Sequence, residues 1–122
     1  MQPTPIGHSI ARVDAFAKAT GAHRYPSDVV QADMLWVQVL RAPYPHATIR
    51  AIDPSAVQAL PGVVCVLTAK DIPGVNGFGL IVPDQPVLCD KVVRYEGDAL
   101  AVVAAETDEI ARQARALIRV EY

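Results

Sequence analysis

The stretch Ala99-Leu-Ala-Val-Val-Ala-Ala105 is apolar throughout, and a helix begins just after it. Thr107 is a favourable N-cap residue, and Asp108 and Glu109 lie in the first turn, where the helix dipole favours negative charge. An apolar stripe with the spacing of an amphipathic helix follows, made of Ile110, Ala114, Leu117 and Ile118. The polar residues expected on the solvent side are Arg112, Gln113 and Arg115. Residues 119–122 predict a last strand.

Two segments nearer the start of the chain also have strand character. Residues 34–40 are rich in β-branched and aromatic side chains, and their near-continuous apolarity indicates a strand covered on both faces. Pro43 and Pro45 then make the chain turn or run extended, and residues 47–53 resume as a strand in rough alternation. We expect these two strands to pair antiparallel across a six-residue loop, 41–46.

Capping residues mark the short helices and turns. Asp53-Pro54 predicts the start of a short helix that Pro61-Gly62 ends. Residues 63–67 are a second strongly β-favouring run. Thr68 and Asp71 have the spacing of a capping box, which leaves room for one turn before the next proline.

The remaining segments are mostly irregular. Residues 1–21 show no sustained period and predict an irregular lead-in. Residues 73–86 contain three prolines, three glycines and one asparagine, which makes this the longest irregular stretch within the domain. Loops of that length in compact domains are often functional. Residues 91–95 predict another strand.

Composition bounds the class of protein. With 122 residues, 52% hydrophobic and 20% charged, the chain fits a single globular domain. Its net charge of −2 provides no positive electrostatic field that would attract nucleic acid or an anionic membrane surface. Met1–Ile10 lacks the basic start and apolar block of a secretory signal, and no apolar run is long enough to span a bilayer. We therefore expect a cytoplasmic protein that binds neither nucleic acid nor membrane.

The residue types that usually carry chemistry are present but dispersed. Cys65 and Cys89 form no CxxC pair, so buried free thiols are the simplest interpretation. The histidines are spaced 15 and 23 residues apart, which places no two imidazoles on one metal; they are His8, His23 and His46. His46 lies between proline-flanked strand ends close to Arg41, where it could orient a partner group, although an exposed turn histidine is the simpler alternative.

Phosphate-binding and nucleophile patterns are also incomplete. Gly74-Val-Asn-Gly-Phe-Gly79 leads into more loop rather than a helix, so turn formation explains its glycines better than nucleotide binding. No serine lies in a G-x-S-x-G elbow. The acidic residues around the long loop are expected to be solvated; they are Asp84, Asp90, Glu96 and Asp98.

Taken in order, these segments resemble the α/β-hammerhead domain of the aldehyde oxidase and xanthine dehydrogenase family. The motifs that carry the resemblance extend over nearly the whole chain. They are Ile6-Gly7, Arg12–Ala15, Lys18–Gly21, Tyr25 with Asp28, Met34-Leu35, Val39–Arg41, Pro45–Ala47, Ile52-Asp53, Leu60–Val63, Leu67-Thr68, Asp71–Gly74, Asp84–Leu88, Val93–Tyr95, Gly97-Asp98, Ala101–Glu106 and Val120–Tyr122. Departures from the family pattern occur at Ala42, at Gln31–Asp33 and at Glu96, and they concern local loop shape.

The resemblance implies an α+β fold with a mixed, mostly antiparallel sheet, one longer C-terminal helix and one or two short helices. It implies that the full-length protein is a molybdopterin-dependent oxidoreductase that hydroxylates a purine, N-heterocycle or aldehyde with water-derived oxygen. Molybdenum–molybdopterin would be the cofactor of that enzyme, with iron–sulfur clusters and FAD in partner domains or subunits. The family's catalytic and pterin-binding residues lie beyond this domain, so we expect no catalytic, cofactor-binding or metal residue within 1–122 and no activity from this portion alone.

Residues 1–122 are therefore expected to form one hammerhead domain, a fragment of a longer large subunit. We expect exposed apolar surface where the remaining molybdopterin-binding domains and the iron–sulfur and FAD components dock. The candidate contact residues are Arg41, Pro43, His46, Phe78 and Gln85. Two alternatives remain at this point: a stand-alone small-molecule-binding module that uses loop 73–86, or an assembly domain without catalytic activity.

Overall fold

The computed structural model describes residues 6–122, and the chain divides into two compact units, Met1–Ala32 and Asp33–Tyr122. The irregular start predicted for residues 1–21 lies partly outside the described residues, and from residue 6 onward it contains one short helix, α1 (Ala15–Ala19). Asp14 stabilises α1 because its carboxylate pairs with Lys18 at 2.7 Å. That hydrogen bond, followed by one from Arg12, lowers the pKa of Asp14.

The first unit also contains a 3₁₀ turn, Pro26–Asp28, in which the Asp28 carboxylate accepts from the Tyr25 amide at 2.9 Å. At the start of the second unit, Asp33 has a φ of 67°. The left-handed conformation of this turn is therefore adopted by a residue with a side chain, which Asp tolerates better than most residues do. Among residues 6–122, no helix combines the length and the apolarity that crossing a bilayer requires.

The second unit is built on a three-stranded antiparallel sheet. Its central strand is β6 (Ala99–Ala105), flanked by β1 (Trp36–Arg41) on one side and β4 (Val63–Thr68) on the other. Val39 and Leu67 both lie opposite Val102. The strands predicted at 34–40, 63–67 and 99–105 are thus confirmed, each to within two residues of its bounds.

Two small antiparallel sheets complete the strand pairing. β2 (Ala47–Thr48) pairs with β5 (Val92–Val93), and β3 (Ala51–Asp53) pairs with β7 (Arg119–Glu121). The prediction that residues 47–53 form one strand paired with 34–40 is wrong. The segment divides at residues 49 and 50 because the Ile49 amide donates to Lys91 and the Arg50 amide donates to Glu121, at 2.8 and 2.7 Å.

The helices of the second unit begin where capping residues predict. The carboxylate of Asp53 accepts from the Ser55 amide at 2.9 Å, just before α2 (Ser55–Gln58). Thr68 donates its amide to Asp71 at 2.7 Å, which closes a single 3₁₀ turn, Ala69–Asp71.

The longer helix, α3 (Asp108–Leu117), covers one face of the main sheet. Thr107 caps it by accepting from the Ile110 amide at 3.2 Å. Its buried helical residues are Ala111 and Ala114, while Leu117 is 43% exposed. The predicted stripe is therefore correct at Ala114 and Ile118 but wrong at Leu117, because small alanines let the helix approach the sheet closely and leave Leu117 outside the contact.

The core of the second unit consists of two clusters of buried residues, and β6 contributes to both. One cluster contains Leu100, Val93 and Cys89, and the other contains Val103, Ala101 and Val57. Leu40, Ile52 and Val120 pack against both clusters, so the two form one continuous interior.

Leu100→Ala is expected to destabilise the chain by about 2–5 kcal/mol, since Leu100 is fully buried and the substitution leaves a cavity. Leu117→Ala is the matched control and should cost less than about 1 kcal/mol, because Leu117 remains partly in water and alanine favours a helix. Urea unfolding of both variants measures the difference. Equal losses would contradict the assignment of the core.

Candidate functional site

The main sheet has one face that α3 covers and one face that lines an open groove. Ala101 and Val103 of β6 pack with Ala114 and Ile118 on the covered side. Because side chains alternate along a strand, Val102 points to the opposite side, together with its direct partners in β1 and β4. We call this the groove face of the sheet.

The groove on this face has a volume of about 370 Å³ and mostly apolar walls. Leu67, which forms part of its floor, is 42% exposed. The residues that line it are Val39, Arg41, Leu67, Thr68, Asp71, Ile72, Pro73, Val87, Leu88, Ala99 and Val102. Trp36 and Val37 at the start of β1 are 50% and 56% exposed. The prediction of a strand covered on both faces is therefore wrong for the described chain, because α3 covers only one.

One end of the groove is closed by Arg41 and the turn that precedes β6. Arg41 is exposed, and its Nη1 donates to the carbonyl of Gly97 at 2.8 Å. The Gly97 amide in turn donates to Ala42, and the Ala42 amide donates to Asp98, both at 2.8 Å. Gly97 has a φ of +97°, a conformation that L side chains rarely adopt. The turn is thereby fixed against the end of β1.

Asp98 is the buried charged residue of this turn, with 3% of its surface exposed. Its carboxylate accepts from the Arg94 amide at 3.1 Å. Burial first, and then the hydrogen bond to the Asp98 carboxylate, raise the pKa of the Cys89 thiol from 9.0 to about 12. The expectation of a solvated Asp98 is therefore wrong: it connects β1, Cys89 and Arg94 inside the domain.

The five candidate contact residues fall into separate groups. Phe78 and Gln85 meet in an antiparallel bridge, with the Phe78 amide donating to Gln85 at 2.8 Å and the reverse bond at 3.2 Å. Both line a cavity of about 340 Å³ next to the 94–98 turn. Pro43 and His46 lie exposed in the loop between β1 and β2. Thus the structure brings Phe78 and Gln85 together, whereas Arg41 bonds to Gly97 of the neighbouring turn and does not line their cavity.

Asn76 is a residue of the long loop whose role the sequence does not reveal. Its side-chain oxygen accepts from the Val87 and Leu88 amides at 2.9 and 3.2 Å, and its side-chain nitrogen donates to the Leu88 carbonyl at 2.7 Å. Asparagine in a glycine-rich segment indicates a turn. The partners 11 and 12 residues away become visible only in the folded chain.

The glycines of the same loop allow its backbone to approach itself. A β-carbon added at Gly79 would lie 2.0 Å from the Val82 carbonyl, and one at Gly77 would lie 2.8 Å from the Pro83 carbonyl. These contacts agree with turn formation as the reason for the glycine pattern. Within residues 6–122 no group of three or more His, Cys, Asp or Glu is arranged to hold a metal ion.

Comparison with known proteins gives consistent matches. Residues 20–122 match the family described as aldehyde oxidase and xanthine dehydrogenase, a/b hammerhead domain. The chain is 50% identical over 114 residues to a probable xanthine dehydrogenase subunit of Bacillus subtilis. It is 41% identical over 117 residues to the nicotinate dehydrogenase large molybdopterin subunit of Eubacterium barkeri.

These alignments cover 93% and 96% of this chain but only 15% and 28% of the two relatives. Among solved structures, a reconstituted CO dehydrogenase from Oligotropha carboxidovorans is 34% identical with a TM-score of 0.89, over 95% of this chain and 15% of that one. The chain therefore spans a small part of the length of the proteins it matches.

The buried Cys89 thiol predicts a loss of stability at alkaline pH. The unfolded chain releases this proton near pH 9.0, whereas the folded chain retains it until about pH 12, so the free energy of unfolding falls as pH rises through that window. The wild type should lose up to about 1.4 kcal/mol per pH unit relative to Cys89→Ala. Urea unfolding at several pH values measures this difference. Cys65→Ala is the matched control because the Cys65 side chain is only half-buried. If the stability of Cys89→Ala and of the wild type changed with pH in parallel, the raised pKa of Cys89 would be refuted.

Proposed function

This chain belongs to the aldehyde oxidase and xanthine dehydrogenase family as an a/b hammerhead domain, and from that premise we propose that it is the N-terminal structural domain of a molybdenum hydroxylase large subunit. The complete protein oxidises a purine, an N-heterocycle or an aldehyde with oxygen derived from water. Residues 1–122 act as one domain of that subunit, and they position neighbouring domains rather than the reacting atoms.

The open groove is the observation that carries this proposal. An apolar groove of about 370 Å³ with a leucine 42% exposed in its floor is costly to leave in water. Since the chain spans 15% of its Bacillus relative, the natural occupant is the remaining molybdopterin-binding portion of the same subunit. The Arg41 end of the groove, together with Pro43, His46, Phe78 and Gln85, borders this contact or one with the iron–sulfur component.

The described residues do not fit the molybdenum cofactor itself. No metal-ligand group is arranged within 6–122, and the loop glycines close on their own backbone instead of forming an open cradle for a phosphate. We therefore place the cofactor, which supplies the oxygen-transfer chemistry when bound, in the longer portion of the subunit. Iron–sulfur clusters and FAD belong to partner domains or subunits, and the assembly is cytoplasmic.

The complete subunit, expressed with its partners, is expected to contain molybdenum and to turn over a purine, aldehyde or aromatic heterocycle. Residues 1–122 alone are expected to retain no molybdenum and to show no turnover. Metal analysis and an activity screen on both samples test the two statements together. Stoichiometric molybdenum on residues 1–122 alone would overturn the proposed division of labour, and a molybdenum-free complete protein would overturn the enzyme class.

Leu67→Asn in the complete subunit tests whether the groove is covered. If a neighbouring domain occupies it, the amide is buried without partners and costs about 1–3 kcal/mol. We expect a lower melting temperature and a lower molybdenum content per subunit, measured by calorimetry and metal analysis.

Leu117→Asn is the matched control, because Leu117 is 43% exposed and Leu67 is 42% exposed in this domain. Both leucines lose similar packing within the domain itself, so the difference between the variants reports the neighbouring domain. Equal effects of the two substitutions would mean that the groove remains open to solvent.

A further inference from the structure

We infer that the free edge of β1 pairs with an extended acidic segment from the molybdopterin-binding portion of the same polypeptide. The source of this segment rests on the proposed function, whereas the pairing itself rests on the edge of β1. The surface involved is the outer edge of β1, which shares Val39 and Arg41 with the groove on the groove face but also includes Arg115 of α3.

The outer edge of β1 has no strand partner within the described chain. β6 is the strand partner of β1 on one side, and among residues 6–122 no strand pairs with its other side. The register is regular from Trp36 to Leu40. β4, the opposite edge strand, is interrupted by an irregularity between Val63 and Cys65. A regular apolar edge without proline or a central bulge is well suited to accept another strand.

A groove of about 530 Å³ runs along this edge. It is lined by four consecutive residues of β1, Gln38–Arg41, and by Arg115 of α3. The side chains of consecutive strand residues point alternately to the two faces of the sheet. Because this groove contacts all four residues from Gln38 to Arg41, it follows the edge of the strand rather than one face. An extended chain can satisfy the backbone donors and acceptors that β1 presents there.

The charge of this groove is positive. Two of its five lining side chains are guanidinium groups and none is a carboxylate. Arg115 is held in place because its Nη1 donates to the Gln38 side chain at 3.2 Å, and Gln38 donates to Asp108 at 2.8 Å.

Asp108, the nearest acidic group, is already engaged by Arg112 of the same helix. Arg115 makes no direct ion-pair contact with a carboxylate of residues 6–122, and its charge acts on Asp108 without such a contact. A segment that carries Asp or Glu opposite Arg115 would supply a direct ion-pair partner. A second copy of β1 is a poor occupant, since it would bring an equally basic groove against this one.

Arg115→Glu in the complete subunit tests the pairing through hydrogen–deuterium exchange of residues 36–41. In the wild type we expect protection both of the β1 amides that bond to β6 and of the outward amides, which lie on the outer edge of the strand. The substitution places two like charges together and should speed exchange of the outward amides about tenfold, while amides of β6 remain protected.

Arg50→Glu is the matched control, because Arg50 is an exposed arginine that does not line this groove. Arg115→Lys keeps the charge and should retain most of the protection, which separates the electrostatic role from a general loss of packing. Rapid exchange of half of the β1 amides in the wild-type complete subunit would mean that the edge is open and would overturn the inference, even if the protein contains molybdenum and is active.

A photo-crosslinking phenylalanine derivative in place of Trp36 identifies the occupant. We expect mass spectrometry to find a segment beyond residue 122 of the same polypeptide that contains Asp or Glu. Reversal of that acid to Arg should restore protection in the Arg115→Glu variant. Crosslinks confined to residues 6–32 or to a partner subunit would overturn the assignment. A protected and crosslinked edge in a protein without molybdenum would instead leave the pairing intact and remove the proposed enzyme class.

Discussion

The central strand β6 must satisfy its backbone hydrogen bonds entirely within the domain, because it is paired on both sides and five of its seven residues are buried. Its small residues allow α3 to lie close on one face, where Ala101 packs with Ala114. Leu100 fills the other core cluster at the same strand. The positions of β1, β4 and α3 therefore all follow from the burial of β6.

The turn from Arg94 to Asp98 connects this strand with the rest of the domain. Its carbonyl and amide groups bond to Ala42 and Arg41 at the end of β1, and its buried carboxylate reaches Arg94 and Cys89. The buried carboxylate is tolerated because it accepts hydrogen bonds from the Arg94 amide and the Cys89 thiol. The turn thereby fixes one end of the groove. The shape of the candidate docking surface therefore depends on the hydrogen bonds that join this turn to the end of β1.

The uneven covering of the main sheet links this fold to its proposed role. One face is covered by α3, while Leu67 and Val39 line an apolar groove on the other. The outer edge of β1 has no strand partner within the described chain. A hammerhead domain in a larger hydroxylase needs such surfaces to hold neighbouring domains in a defined geometry. In the role proposed for it, the domain positions its neighbours and the longer protein carries out the reaction.

Local patterns determined much of this structure. The sequence alone predicted the apolar strand 99–105, the Thr107 cap and the turn at Asp71, because a cap or a strand depends on residues a few positions apart. It also contained the ordered motifs that resemble the hammerhead family. Only the tertiary structure decided that Ile49 and Arg50 bond to different segments, that Leu117 stays exposed, that Asp98 is buried and that one face of β1 remains uncovered. Each of these depends on contacts between residues far apart along the chain, which no local spacing specifies.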